Sequence, residues 1–168
     1  MNPILDMLKH AMQAERDGFY HYHTASERTV DAKAKEIFQK LALDELTHHK
    51  LLEEMLSALE KGERPTDVLD SARAAFVPLT GPSPIFSEEF KTRIREKHFE
   101  MSALSIGMIL EQNGIAYYSD MEKKADLPEL KKLLHFLVQW EESHLEALSA
   151  QAKFFQESYW QGAQFSPF

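Results

Sequence analysis

Cysteine is absent from the 168 residues. That absence removes disulfides, zinc–thiolate sites, iron–sulfur clusters and thiol catalysis. Basic side chains are in the minority, 19 Lys and Arg against 27 Asp and Glu, and the net charge of −8 argues against nucleic acid or an anionic membrane as partner. No apolar run approaches the roughly 18 uncharged residues of a membrane span. The opening Met1-Asn2-Pro3-Ile4-Leu5-Asp6 lacks the basic cluster and apolar stretch of a secretory signal, so a cytoplasmic protein is expected. The period-two alternation of strands is missing throughout. Glycine and proline are scarce, at six and seven, and six of these thirteen gather in one stretch holding Gly62, Pro65, Pro78, Gly81, Pro82 and Pro84. The chain does have 43% apolar residues, enough for one buried core, and eight histidines.

The Gly/Pro stretch divides the chain into halves, each reading as a helical hairpin. Asn2-Pro3 supplies an N-cap and a first-turn proline for a helix over about 3–25, with Leu5, Leu8 and Met12 on its apolar stripe. Ile37, Leu41, Leu52, Met55 and Leu59 continue the spacing in a second helix over about 31–60, closed by Gly62. Ser87 followed by Glu88 and Glu89 predicts a third helix start, running to about 124. Asp126-Leu127-Pro128-Glu129 reads as a capping box opening a fourth helix over about 127–156. The expectation is one all-α domain: an antiparallel four-helix bundle of two hairpins joined by a crossover over 61–86, with a short extra helix within 66–76.

The halves repeat each other. Glu45-Leu46-Thr47-His48 and Glu141-Glu142-Ser143-His144 are both Glu-x-x-His, which sets a carboxylate and an imidazole one turn apart on one helix face. From 19 glutamates and 8 histidines about one such pair arises by chance, so the motif alone decides little. The spacing decides more: Glu15 precedes Glu45 by 30 residues, and Glu111 precedes Glu141 by 30. Tyr22 and Tyr118 each follow their glutamate by seven, and Gly18 and Gly114 each follow by three. The stripes Leu41, Glu45, His48, Leu52 and Leu134, Leu137, Glu141, His144, Leu148 point these polar groups inward. Four carboxylates converging on a dry core cost several kcal/mol each unless protonated or matched by cations. Two divalent metals balance four glutamates to neutrality.

Carrying one Glu on each of two helices and one Glu-x-x-His on each of the other two, the chain resembles the ferritin-like di-iron carboxylate proteins, over roughly residues 3–155. Around the motifs, Glu45-Leu46-Thr47-His48-His49 and Glu141-Glu142-Ser143-His144 look most like the rubrerythrin family. The resemblance implies that Glu45 and Glu141 bridge two metals, that Glu15 and Glu111 are terminal carboxylates, and that His48 and His144 each bind one metal. It implies two iron ions, with manganese or a mixed pair as the alternative, since glutamate oxygen and imidazole nitrogen suit these metals. It also implies a rubrerythrin-like oxidoreductase reducing hydrogen peroxide or dioxygen. The rivals are a ferroxidase or iron-storage protein, a metal-stabilised bundle without catalysis, and a hydroxylase of a bulky substrate. Two features depart from classical rubrerythrins. The 168 residues carry no cysteine-rich rubredoxin segment, so a separate electron-donor protein is expected. Gly114 also stands one turn beyond Glu111 where those proteins carry a second glutamate, and the six-residue set that remains is similar to a bacterioferritin ferroxidase centre.

Tyr22 and Tyr118 are expected to donate to the carboxylate of the opposite half. The repeated Gly18 and Gly114 imply a close approach or space beside the metals. His49 should point about 100° away from the site, and His21 and His23 are expected to be exposed. The aromatic tail over 157–168, from Tyr159 and Trp160 to Phe168, is expected to fold back or to pack on a second copy in a homodimer.

Overall fold

The computed structural model describes residues 3–65, 67–79, 85–87 and 98–163, with side chains through 157. Among these residues there are five helices and no strand: α1 Pro3–Arg28, α2 Ala32–Lys61, α3 Val68–Ala75, α4 His98–Lys124 and α5 Pro128–Ala163. None is long and apolar enough to cross a membrane.

Capping chemistry sets the joints. Asp31 stands at the N-cap of α2 and its Oδ1 accepts from the Ala34 N–H at 2.8 Å, satisfying a donor that has no partner inside the helix. The same carboxylate takes the Ser87 hydroxyl and N–H, so it also ties the end of the crossover to the first joint. Asp31→Ala should therefore cost about 1–2 kcal/mol, read as a lower denaturation midpoint at unchanged m-value. Gly62 ends α2 with φ of 71°, and the Gly62 and Glu63 N–H groups return to Leu59 and Ala58. Pro128 opens α5, whose first backbone bond runs from the Lys131 N–H to the Leu127 carbonyl, so Leu127 rather than Asp126 precedes the helix.

The helices pair as two antiparallel hairpins, α1 on α2 and α4 on α5, with α1 also lying along α4. Ion pairs mark the alignment: Lys9 meets Glu60 and Glu27 meets Lys35 in the first hairpin, and Glu122 meets His135 in the second. Across the halves, the Tyr117 hydroxyl donates to the Met7 carbonyl. The short α3 rests on α2 and α5. This is the all-α, ferritin-like bundle of two hairpins.

Two apolar clusters fill the bundle. One holds Leu8, Leu52, Met55, Leu133, Leu137 and Trp140, and the other Phe38, Leu41, Ile85, Phe86, Leu104 and Phe155. Ile85 and Phe86 come from the crossover and are wholly buried.

Two expectations change. Helix α5 runs on to Ala163 rather than ending near 156, so most of the supposed tail is helical. Within it Phe155 is buried against Phe86, while the side chains of Tyr159 and Trp160, and residues 164–168, lie outside the described residues. The Asn2 cap, the helix start after Ser87 and the lysine-bearing stretch 91–97 also lie outside them. His21 is half-buried rather than exposed, with Nε2 3.0 Å from the Ala103 carbonyl, and burial holds its pKa below the ordinary range.

Candidate metal centre

Each helix of the bundle brings one or two donors to a single level between the two apolar clusters. Glu15 comes from α1, Glu45 and His48 from α2, Glu111 from α4, and Glu141 and His144 from α5. All six are at most 5% exposed. They form two overlapping groups, Glu15, Glu45, His48, Glu141 and Glu45, Glu111, Glu141, His144, each with one donor atom per residue within 4.8 Å of the others. Glu45 and Glu141 belong to both.

His48 Nδ1 lies 3.0 Å from Glu141 Oε1 and 3.3 Å from Glu15 Oε2. His144 Nδ1 lies 3.3 Å from Glu141 Oε2, 3.5 Å from Glu111 Oε2 and 3.6 Å from Glu45 Oε1. Close as they are, both Nδ1 atoms, Glu15 Oε2, Glu45 Oε1 and Glu141 Oε2 are buried without a hydrogen-bond partner among the described residues. A buried polar atom left unpaired costs about 1–3 kcal/mol, and more when charged. Five such atoms facing one another need a shared cationic partner, and the donor set fits a pair of divalent metals.

Electrostatics of the metal-free centre agree. Burial and the neighbouring Glu141 push Glu15 and Glu45 well above the usual carboxylate range, and the same causes push Glu111 up to about 8. Glu141 goes the other way: burial opposes its charge, but His48 and the other bonds to it outweigh that and hold it well below. Both histidines are raised against their own burial, His48 chiefly by Glu141 and His144 chiefly by Glu111. Protons thus do in part what metal charge would do.

The tyrosines cross between halves. Tyr22 of α1 donates to Glu111 of α4, and Tyr118 of α4 donates to Glu15 of α1. Each hydroxyl leaves the other carboxylate oxygen turned toward the centre. Burial, with Glu111 beside it, raises the Tyr22 pKa and keeps its proton in place.

The two repeated glycines do different work. A Cβ on Gly18 would sit 2.8 Å from Glu45 Oε2, so this position must be bare for α1 to pass the carboxylate. A Cβ on Gly114 would meet Glu141 at 3.7 Å, ordinary contact. Gly114 instead lines a cavity of about 200 Å³ between α1 and α4, floored by Glu15, Glu45, Glu111 and Glu141 and edged by Ala14 and Asn113.

Three participants were not singled out from sequence. Gly107 faces the Tyr22 hydroxyl, which a Cβ there would meet at 3.0 Å. Asp44 places Oδ2 3.1 Å from His144 Nε2, and Trp140 packs against the His48 ring with centroids 4.5 Å apart. Burial would raise the Asp44 pKa, yet the bonds from His144 and Lys40 hold it below the ordinary value. A signal for Asp44 exists: it falls three residues after Leu41 and four before His48, on the inward stripe. His49 belongs to neither donor group, and the exposed His23 stacks on Phe19.

A family model described as rubrerythrin matches residues 6–152, from the first turn of α1 far into α5. No curated protein and no solved structure matches the chain.

Proposed function

The chain belongs to the rubrerythrin family, and from that premise we propose that it is a non-haem di-iron oxidoreductase that reduces hydrogen peroxide or dioxygen, drawing electrons from a separate donor protein. The observation that carries this reading is the pair of overlapping buried donor groups sharing Glu45 and Glu141. A ferrous pair held there would supply the two electrons that, with two protons, the reduction of one peroxide to two waters requires.

In this reading Glu45 and Glu141 would serve both ions, with Glu15 and His48 completing one position and Glu111 and His144 the other. Tyr22 and Tyr118 keep Glu111 and Glu15 in register through their hydroxyl protons. The apolar clusters on either side exclude bulk water, so charge at the centre is weakly screened. The cavity beside Gly114 admits a small oxidant. Gly114→Leu should fill it and slow oxidation of the ferrous protein by peroxide at least about tenfold, about 1.4 kcal/mol of barrier, with metal content unchanged. Stopped-flow absorbance and elemental analysis on the same sample check both halves of that statement.

The test of the reading itself is metal content after growth with iron, followed by absorbance of the ferrous form on separate addition of peroxide and dioxygen. About two irons per chain, oxidised faster by peroxide, support it. Faster reaction with dioxygen and continued iron uptake transfer the protein to ferroxidase and storage. Absence of stoichiometric metal overturns the reading.

A further inference from the structure

The repeat that relates the two halves breaks at one place beside the centre. Asp44 directly precedes Glu45, and its counterpart Trp140 directly precedes Glu141. Each reaches across the bundle to the histidine of the other half, but with opposite chemistry. Asp44 Oδ2 accepts from His144 Nε2 at 3.1 Å, and Lys40 Nζ, one turn earlier on α2, holds the same oxygen at 2.5 Å. Trp140 meets His48 edge to face, at an interplanar angle of 84°, and among the described residues neither His48 Nε2 nor Trp140 Nε1 has a hydrogen-bond partner. Behind Trp140 stand Phe76 and Phe136, at centroid distances of 5.1 and 6.0 Å, so the wall behind His48 is aromatic.

We propose that the two metal positions are unequal: the position served by His144 is tight and fills first, with Asp44 as its positioning residue, and the position served by His48 is weak and exchangeable. The proposal rests on the reading of the centre as a two-metal site. A carboxylate that takes the proton of Nε2 fixes the tautomer, leaves the Nδ1 lone pair toward Glu45, Glu111 and Glu141, and makes the imidazole a stronger donor. Partners of this kind are worth about 10–100-fold in metal affinity. Among the described residues His48 Nε2 has no such partner, so none of them selects its tautomer or strengthens its Nδ1 from behind. The shared carboxylates Glu45 and Glu141 serve both positions alike and cancel from the comparison. A chain built this way can keep one ion while releasing or exchanging the other, and so can hold a mixed pair.

The test is titration of the metal-free, full-length protein with cobalt(II), followed by calorimetry and by the visible cobalt spectrum. The wild type should bind in two steps separated by about 10–100-fold in affinity. Asp44→Asn, which keeps the side-chain shape and removes the charge, should weaken the first step by that factor, shift its spectrum, and leave the second step unchanged. Trp140→Phe should leave the first step as it is. His144→Ala should abolish the tight step and His48→Ala the weak one. Matching circular dichroism melts of the metal-free variants separate these effects from loss of fold. Two equal steps in the wild type, or an Asp44→Asn loss confined to the second step, overturn the proposal with the two-metal reading intact. Absence of stoichiometric binding by the folded wild type overturns both.

Discussion

Glu141→Ala lowers the metal content of the purified protein from about two ions per chain to one or none, and removes the rise in melting temperature that metal gives the wild type. Glu141 belongs to both donor groups, and its two oxygens face the two histidines at 3.0 and 3.3 Å. Taking it away removes a donor from each position at once and half of the shared negative charge. Glu45→Ala removes the other shared carboxylate and should behave alike. Glu15→Ala and Glu111→Ala, each belonging to one group only, should spare one ion. A ligand present at 1,000 times its dissociation constant stabilises the folded state by about 4 kcal/mol, the size of the metal-dependent stabilisation that disappears. Elemental analysis and paired melts with and without chelator read both effects. A Glu141→Ala protein that binds two ions at wild-type affinity would falsify the ligand assignment.

Metal-free protein should be most stable near pH 5 and should lose stability steadily as the pH rises through 8. In the unfolded chain a glutamate gives up its proton near 4.5, whereas folded Glu111 keeps its proton to about 8, because burial and Glu141 oppose its charge. Between those values the folded state binds more protons than the unfolded one, so stability falls with rising pH. Glu15 and Glu45 are displaced in the same direction and add to the effect. His48 and His144, also raised, give stabilisation that is complete below about 6.5 and is lost as the pH climbs through their folded values. Glu141 works in the opposite sense, as do Asp44 and His21, whose pKa values are also lowered, and the carboxylate contributions, present above the ordinary range and lost in acid, place the optimum near 5 and not lower. At about 1.4 kcal/mol per pH unit of displacement, Glu111 alone accounts for a few kcal/mol, on the order of ten degrees in melting temperature for a chain of this size. Metal replaces these protons, so the loaded protein should show a much flatter profile, and loading at pH 7 should release protons that an indicator dye can count. Chelated samples melted from pH 5 to 9 decide the matter: a flat or rising profile would remove the electrostatic account of the empty centre.

The helices were legible because their punctuation is local. Gly62 announces the end of α2 within a few residues of itself and does the bonding its residue type suggests. The gathering of the six donors was legible for a different reason: two copies of one hairpin placed face to face bring equivalent positions together, and the 30-residue interval is carried by the sequence twice. What escaped depends on contacts that no interval records. Asp44 sits four residues after Lys40, the spacing of an ordinary surface pair, and only the arrival of α5 turns it toward His144. Trp140 has the look of plain core until the ring it covers is identified as His48. His21 lies among polar neighbours, and its burial comes from α4 passing Ala103 beside it. The repeated glycines carried both readings that their spacing allowed, a close approach to a carboxylate at Gly18 and space beside the centre at Gly114, and only the structure says which is which. The stretch after Phe155 looked like a separate tail because aromatic crowding hid a helix that simply continues.

The bundle is sewn unevenly. Each hairpin is packed along its length, yet α2 and α5, which bear the histidines, approach each other far less closely than either approaches its own hairpin partner. At mid-height the link between them is the centre itself, where His48 of α2 meets Glu141 of α5 and His144 of α5 meets Asp44 and Glu45 of α2. Seen this way the hairpins are two leaves hinged along α1 and α4, with a clasp at the opposite edge. Breathing of the leaves should then be set at the clasp. Amide protons in the middle of α2 and α5 would exchange by a shared opening that occurs often in the empty protein and rarely in the filled one, while the seam between α1 and α4 stays closed in both.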